Sequence, residues 1–164
     1  MLDWNSVEKQ ISAEINFLHN LVHLSPYTQN DPIKCSDCLY RQIALMIISG
    51  KVRITKIEFK NKNILGINNF NFNAIRSLEK KHGADWHDSS IQKLHQYFQN
   101  NNVQTTSEPN LHYGRADLGV PELKIFIEVG TVNLYKLYYN LSYLSGCKIL
   151  LIPVDFYAIE FNIL

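Results

Sequence analysis

The run Ile125-Phe126-Ile127-Glu128-Val129 places one carboxylate inside a segment that otherwise has the make-up of a buried strand. A carboxylate so placed is costly unless a cation or hydrogen bonds compensate it. A second acid, Asp117, lies in the preceding run Gly114-Arg115-Ala116-Asp117-Leu118, and a break at Pro121-Glu122 separates the two runs. Two carboxylates joined by a hairpin can be held side by side at one point of a sheet. Such a point suits a hard divalent cation, which takes oxygen ligands. Leu134, Leu137, Tyr138, Leu141 and Leu144 then follow at spacings of three and four, the helical period. Cys147–Pro153 reads as a fully buried strand. The local order is therefore strand, hairpin, strand, helix, strand.

This order, with Gly114-Arg115-Ala116-Asp117 and Ile127-Glu128-Val129-Gly130, resembles the core of the PD-(D/E)XK nuclease superfamily, which includes Holliday-junction resolvases and many restriction endonucleases. The resemblance covers roughly the second half of the chain. It implies an α/β (α+β) fold, with a restriction-endonuclease-like mixed β-sheet flanked by helices. It also implies that Asp117 and Glu128 bind magnesium or manganese, and that the activity is metal-dependent DNA endonuclease cleavage. The family places a lysine two residues after the second acid, where this chain has Gly130. A non-catalytic nucleic-acid-binding or assembly protein on a degenerate nuclease fold is the alternative expectation.

The chain has 164 residues, enough for one domain with a core and an attachment. Its net charge of +1 is no general signal for nucleic acid, so any such surface must be local. No apolar stretch is long enough to cross a bilayer. Met1-Leu2-Asp3-Trp4 shows no basic region ahead of an apolar run, so no secretory signal is expected. Three cysteines suit a reducing compartment, and a cytoplasmic location is the expectation.

In chain order, Val7–Leu24 reads as an amphipathic helix with Ile11, Ile15, Leu18 and Val22 inward. The polar segment 25–34 reads as a loop, and a second helix is expected from Ser36 or Asp37 to Ser49, ended by Gly50. Val52–Phe59 alternates as a strand, Ile64–Ile67 is its candidate return strand, and Ala74–Lys81 a short helix. A helix from Asp85 or Asp88 to Asn100 follows, then a polar strand at Val103–Ser107. Val154–Leu164 is the expected last strand. The expected division is a helical N-terminal region with a β-hairpin over 1–82 and the nuclease-like core over 83–164.

Lys136, on the first turn of the helix after Glu128, is the candidate substitute for the family's lysine. At 100° per residue it lies about 200° from Leu134, away from the apolar stripe. Asp88 is a candidate third metal ligand from the helix before the first strand, with Asp85 and Glu108 behind it; Asp85 and Asp88 also read as an N-cap pair. Arg115 and His87 are candidates for phosphate contact, although Arg115 could equally neutralise Glu128 or Glu108. Thr131 is a candidate helix cap. Tyr135, Tyr139 and Tyr143 fall opposite Leu134 and Leu141, where exposed aromatics stack on bases or form the interface of a homodimer. Cys35 and Cys38 form a CxxC pair that, with His19 and His23, has the ligands for a zinc ion.

Overall fold

The computed structural model describes residues 3, 5–6, 9–10, 12–13, 33–58, 84–130, 132–154 and 157–164. Within them the chain runs α1 (Ile33–Ile48), β1 (Val52–Glu58), α2 (Ala84–Asn100), β2 (Thr106–Ser107), β3 (Leu118–Val120), a 3-10 turn (Pro121–Leu123), β4 (Ile125–Val129), α3 (Leu134–Tyr143), β5 (Cys147–Val154) and β6 (Tyr157–Ile163). The six strands form one mixed sheet in the order β1-β6-β5-β4-β3-β2. Only β4 and β5 pair in parallel; every other neighbouring pair is antiparallel. The parallel pair follows from α3, which carries the chain back over the sheet between them.

The alternation of each strand divides the core between two faces. Leu118, Val120, Ile125, Ile127, Val129, Leu150, Ile152 and Ala158 pack with Trp86, Leu94 and Phe98 of α2. Ile149, Leu151, Ile159, Phe161, Ile163 and Val52 pack on the other face with Tyr40 and Ile43 of α1 and Leu134, Leu137 and Leu141 of α3. The sheet is thus covered on both sides, and β5 is buried on both over residues 149–153, as the apolar run there requires. Pro153 lies within β5, where pairing with β6 shifts register between Leu151 and Val154, a place that tolerates a residue without an N–H. The last strand consequently begins at Tyr157, after the expected Val154.

β1 pairs with β6 along its whole length, so this strand from the expected N-terminal region belongs to the same sheet and is its outermost strand among the described residues. The expected helices at Val7–Leu24 and Ala74–Lys81, and the strand at Ile64–Ile67, lie largely or wholly outside the described residues. No helix among the described residues is long and apolar enough to cross a membrane.

The segment that carries Asp117 differs from the expected strand. Leu111 N–H donates to Gly114 C=O, Ala116 N–H to Pro109 C=O and Glu108 N–H to Asp117 C=O. Residues 108–117 therefore form a hairpin turn, and the strand starts at Leu118. Gly114 sits in this turn with φ +78°, a conformation that favours glycine. Asn140 of α3 clamps it: Tyr113 N–H donates to Asn140 Oδ1 at 2.9 Å, and Asn140 Nδ2 donates to Tyr113 C=O at 3.0 Å.

Candidate functional site

β3 and β4 bring Asp117 and Glu128 together. The ladder pairs Leu118 with Ile127, and Asp117 is the residue just outside it. Its N–H donates to Ile127 C=O at 3.1 Å, while its Oδ2 accepts from Val129 N–H at 2.7 Å. Asp117 thus holds the residues on either side of Glu128. Strand alternation puts Glu128 on the face of Phe126, the face covered by α3. There it is only 6% exposed.

Lys136 answers that buried charge. Its Nζ lies 2.5 Å from Glu128 Oε1 and donates to Arg115 C=O at 2.6 Å. Apart from this ion pair, Glu128 Oε1 is buried without a hydrogen-bond partner. Lys136 lies about 200° from Leu134 on α3, off the stripe that meets the sheet. A second surface exists, because the 108–117 turn packs along the side of α3 that carries Lys136 and Asn140. These two residues, one helical turn apart, form a polar seam. Asn140 is 1% exposed and also donates to Lys136 C=O at 2.9 Å. Spacing alone does not single out Asn140; an asparagine one turn after Lys136 is its only sequence signal.

The electrostatics follow from this burial. Loss of solvent pushes the Glu128 carboxyl up to about 6 from its ordinary 4.5. The hydrogen bond and charge of Lys136 pull it down, the negative charge of Asp117 raises it, and His87 lowers it. His87, from the first turns of α2, bridges outward: its Nε2 is 3.3 Å from Asp117 Oδ1 and its Nδ1 3.2 Å from Asp88 Oδ1.

The remaining expectations divide. Asp88 pairs with His87 at the exposed rim and is not brought onto Glu128. Asp85 lies in the first turn of α2, which starts at Ala84. Arg115 ion-pairs with Glu108 at 3.0 Å on the surface, one of the two partners expected for it. The cap of α3 is Asn133, whose side chain accepts from Tyr135 N–H at 2.8 Å, because the helix starts at Leu134; Thr131, two residues too early, lies outside the described residues. Tyr139 and Tyr143 are exposed. Cys35 and Cys38 belong to the first turns of α1, but their side chains and all of His19 and His23 lie outside the described residues.

Gly130 has φ +91°, and its N–H donates to Ile152 C=O at 2.7 Å as the chain leaves β4 for α3. A lysine here would be strained, so the glycine serves the backbone; the ammonium beside Glu128 comes from α3.

Among the described residues no three of His, Cys, Asp and Glu form a metal-binding group. The donor set does suit a hard cation in another way. Magnesium is commonly held by one or two carboxylates plus substrate phosphates and water. Asp117 and Glu128 supply the two carboxylates, and Glu128 Oε1 is a buried oxygen whose one partner is a cation.

Comparison with protein-family models, with curated proteins and with solved structures finds no match for this chain.

Proposed function

We propose that the chain is a metal-dependent deoxyribonuclease of PD-(D/E)XK type, with Lys136 of α3 in place of the motif lysine. The observation that carries the reading is the buried Glu128 beside Asp117, with an ammonium from a different element at 2.5 Å. The restriction-endonuclease-like arrangement of the sheet belongs to the same proposal. Magnesium or manganese, held by Asp117 and Glu128, would neutralise phosphate charge and lower the pKa of a water.

The chain's own groups do the rest. The Val129 N–H and His87 orient the Asp117 carboxylate. Lys136 holds Glu128 ionised despite its burial and stands ready to stabilise charge that develops on the phosphate. Arg115, largely exposed on the turn beside the site, can move from Glu108 to a phosphate oxygen. The test is cleavage of duplex, branched and single-stranded DNA by purified protein with magnesium or manganese. Chelation and Glu128→Gln should each abolish it.

One observation favours a second reading, a nucleic-acid-binding protein without catalysis. Both oxygens of Asp117 are already engaged and Glu128 already has a cation partner. Absence of divalent-dependent cleavage on all three substrates, with binding retained, would select it.

A further inference from the structure

Beside the carboxylates lies an exposed aromatic surface built from two elements. Tyr139 and Tyr143, one turn apart on α3, have rings 6.5 Å apart and only 15° from parallel. His112 stacks on Tyr143 at 4.3 Å, and Tyr113 lies 5.6 Å from Tyr139. Tyr113, Tyr139 and Tyr143 are 54%, 38% and 64% exposed. Large aromatic rings so placed, and held by one another, form a preorganised stacking surface.

Its position relative to the site is set by the same contacts. Asn140 ties Tyr113 to α3, and Lys136 ties Arg115 to α3. Along the helix, at 1.5 Å per residue, Tyr139 is about 4.5 Å and Tyr143 about 10.5 Å beyond Lys136. That is the span of the first one or two nucleotides of an extended strand. The charge also fits a polyanion. From Pro109 to Ala116 and from Val129 to Val154 there is no Asp or Glu; Arg115 and Lys136, each paired with a carboxylate of a neighbouring segment (Glu108 and Glu128), are present with His112. Lys51 adds a cation at the far end of α3, with Nζ on Ser142 C=O at 2.6 Å.

We infer that this surface binds unpaired nucleobases, so that the substrate is DNA with a single-stranded segment next to the bond at Glu128. The inference rests on the nucleic-acid reading of the site and adds its substrate class. Stacking on aromatic rings is open to any base but needs the base face to be free, which a blunt duplex does not offer except at its ends.

The experiment is fluorescence anisotropy with the full chain in EDTA, so that no cleavage enters, at one fixed salt concentration. The probes are a fluorescein-labelled oligothymidylate, a duplex with a single-stranded overhang, and a blunt duplex of mixed sequence. The first two should bind at least about tenfold more tightly than the blunt duplex. The double variant Tyr139→Ala/Tyr143→Ala should lose at least about tenfold on the first two and little on the third. Tyr139→Phe/Tyr143→Phe, which keeps the rings, should retain the affinity. Equal binding of all three probes, or an alanine variant with unchanged affinity, would overturn the inference. So would light scattering that shows a dimer broken by the alanine changes while DNA affinity stays the same. A wild-type chain that shows the stacking pattern but no cleavage with magnesium would sink the nuclease proposal alone. Cleavage without the stacking pattern would sink this inference alone.

Discussion

Lys136 Nζ and Glu128 Oε1 stand 2.5 Å apart, yet the two residues come from different elements and opposite ends of the β4–α3 connection. The pair is asymmetric in burial, with the glutamate side chain 8% exposed and the lysine side chain 21%. The carboxylate therefore depends on the ammonium more than the reverse, since its alternative is an uncompensated buried charge.

The pH dependence of stability should carry the signature of Glu128. Its folded-state carboxyl is raised to about 6 from 4.5, so folding disfavours its ionised form. The favourable contribution of the protonated form is complete below pH 4.5 and disappears as pH rises through about 6. A difference of about one and a half pH units corresponds to about 2 kcal/mol. Urea denaturation from pH 4 to 8 should show wild-type stability falling relative to Glu128→Gln by that amount. A constant difference between the two proteins would refute the assignment.

Lys136→Met should destabilise the protein by about 3 kcal/mol at pH 8, where Glu128 is left ionised without its partner. At pH 5 the loss should be much smaller, because the buried carboxyl is then protonated. Cleavage should fall on the order of a hundredfold, as for other charge-stabilising groups. Full activity in this variant would show that Lys136 is a structural counterion alone.

Asn140→Leu tests the clamp between α3 and the 108–117 turn. The change removes both bonds to Tyr113 and leaves its N–H and C=O without their partners. Each lost hydrogen bond costs about 0.5–1.5 kcal/mol. The melting temperature should drop clearly, and amide exchange at Tyr113 should rise before that of β5.

Gly119→Ala should also destabilise, by a route separate from the site. A Cβ at Gly119 would lie 2.8 Å from Pro109 Cγ, closer than real contacts allow, so the turn at Pro109 must move. Overpacking of this kind typically costs about 1–3 kcal/mol. A variant as stable as wild type would show that the turn is free to shift.

Much of the fold was legible because its signals are local. The apolar run of β5, the three-and-four spacing of α3 and the helix ending at Asn100 appear within a few residues of their expected bounds. Asp117 and Glu128 were legible for a related reason: an acid in an apolar strand requires compensation, and a short hairpin leaves few places for its partner. The reach of Lys136 was not legible, because a helical wheel registers the apolar stripe and not a turn that covers the polar side. Asn140 was hidden for the same reason, and the role of Gly130 because its backbone conformation leaves no mark on its neighbours. One is polar because it clamps a distant turn, the other is glycine because the chain bends there with positive φ.

The sequence by itself determined the bounds of β5, α3 and the end of α2 to within a few residues, and that a carboxylate inside the β4 run needs compensation. Periodicity and the cost of a buried charge act over a few residues and need no knowledge of neighbours. Only the tertiary structure decided that Glu128 is compensated by the ammonium of Lys136, and that β1 joins the sheet beside β6. It also decided that Tyr139 and Tyr143 gather with His112 and Tyr113 into one aromatic surface. These depend on which elements pack together, and packing is chosen by the burial of the whole apolar surface rather than by any single segment.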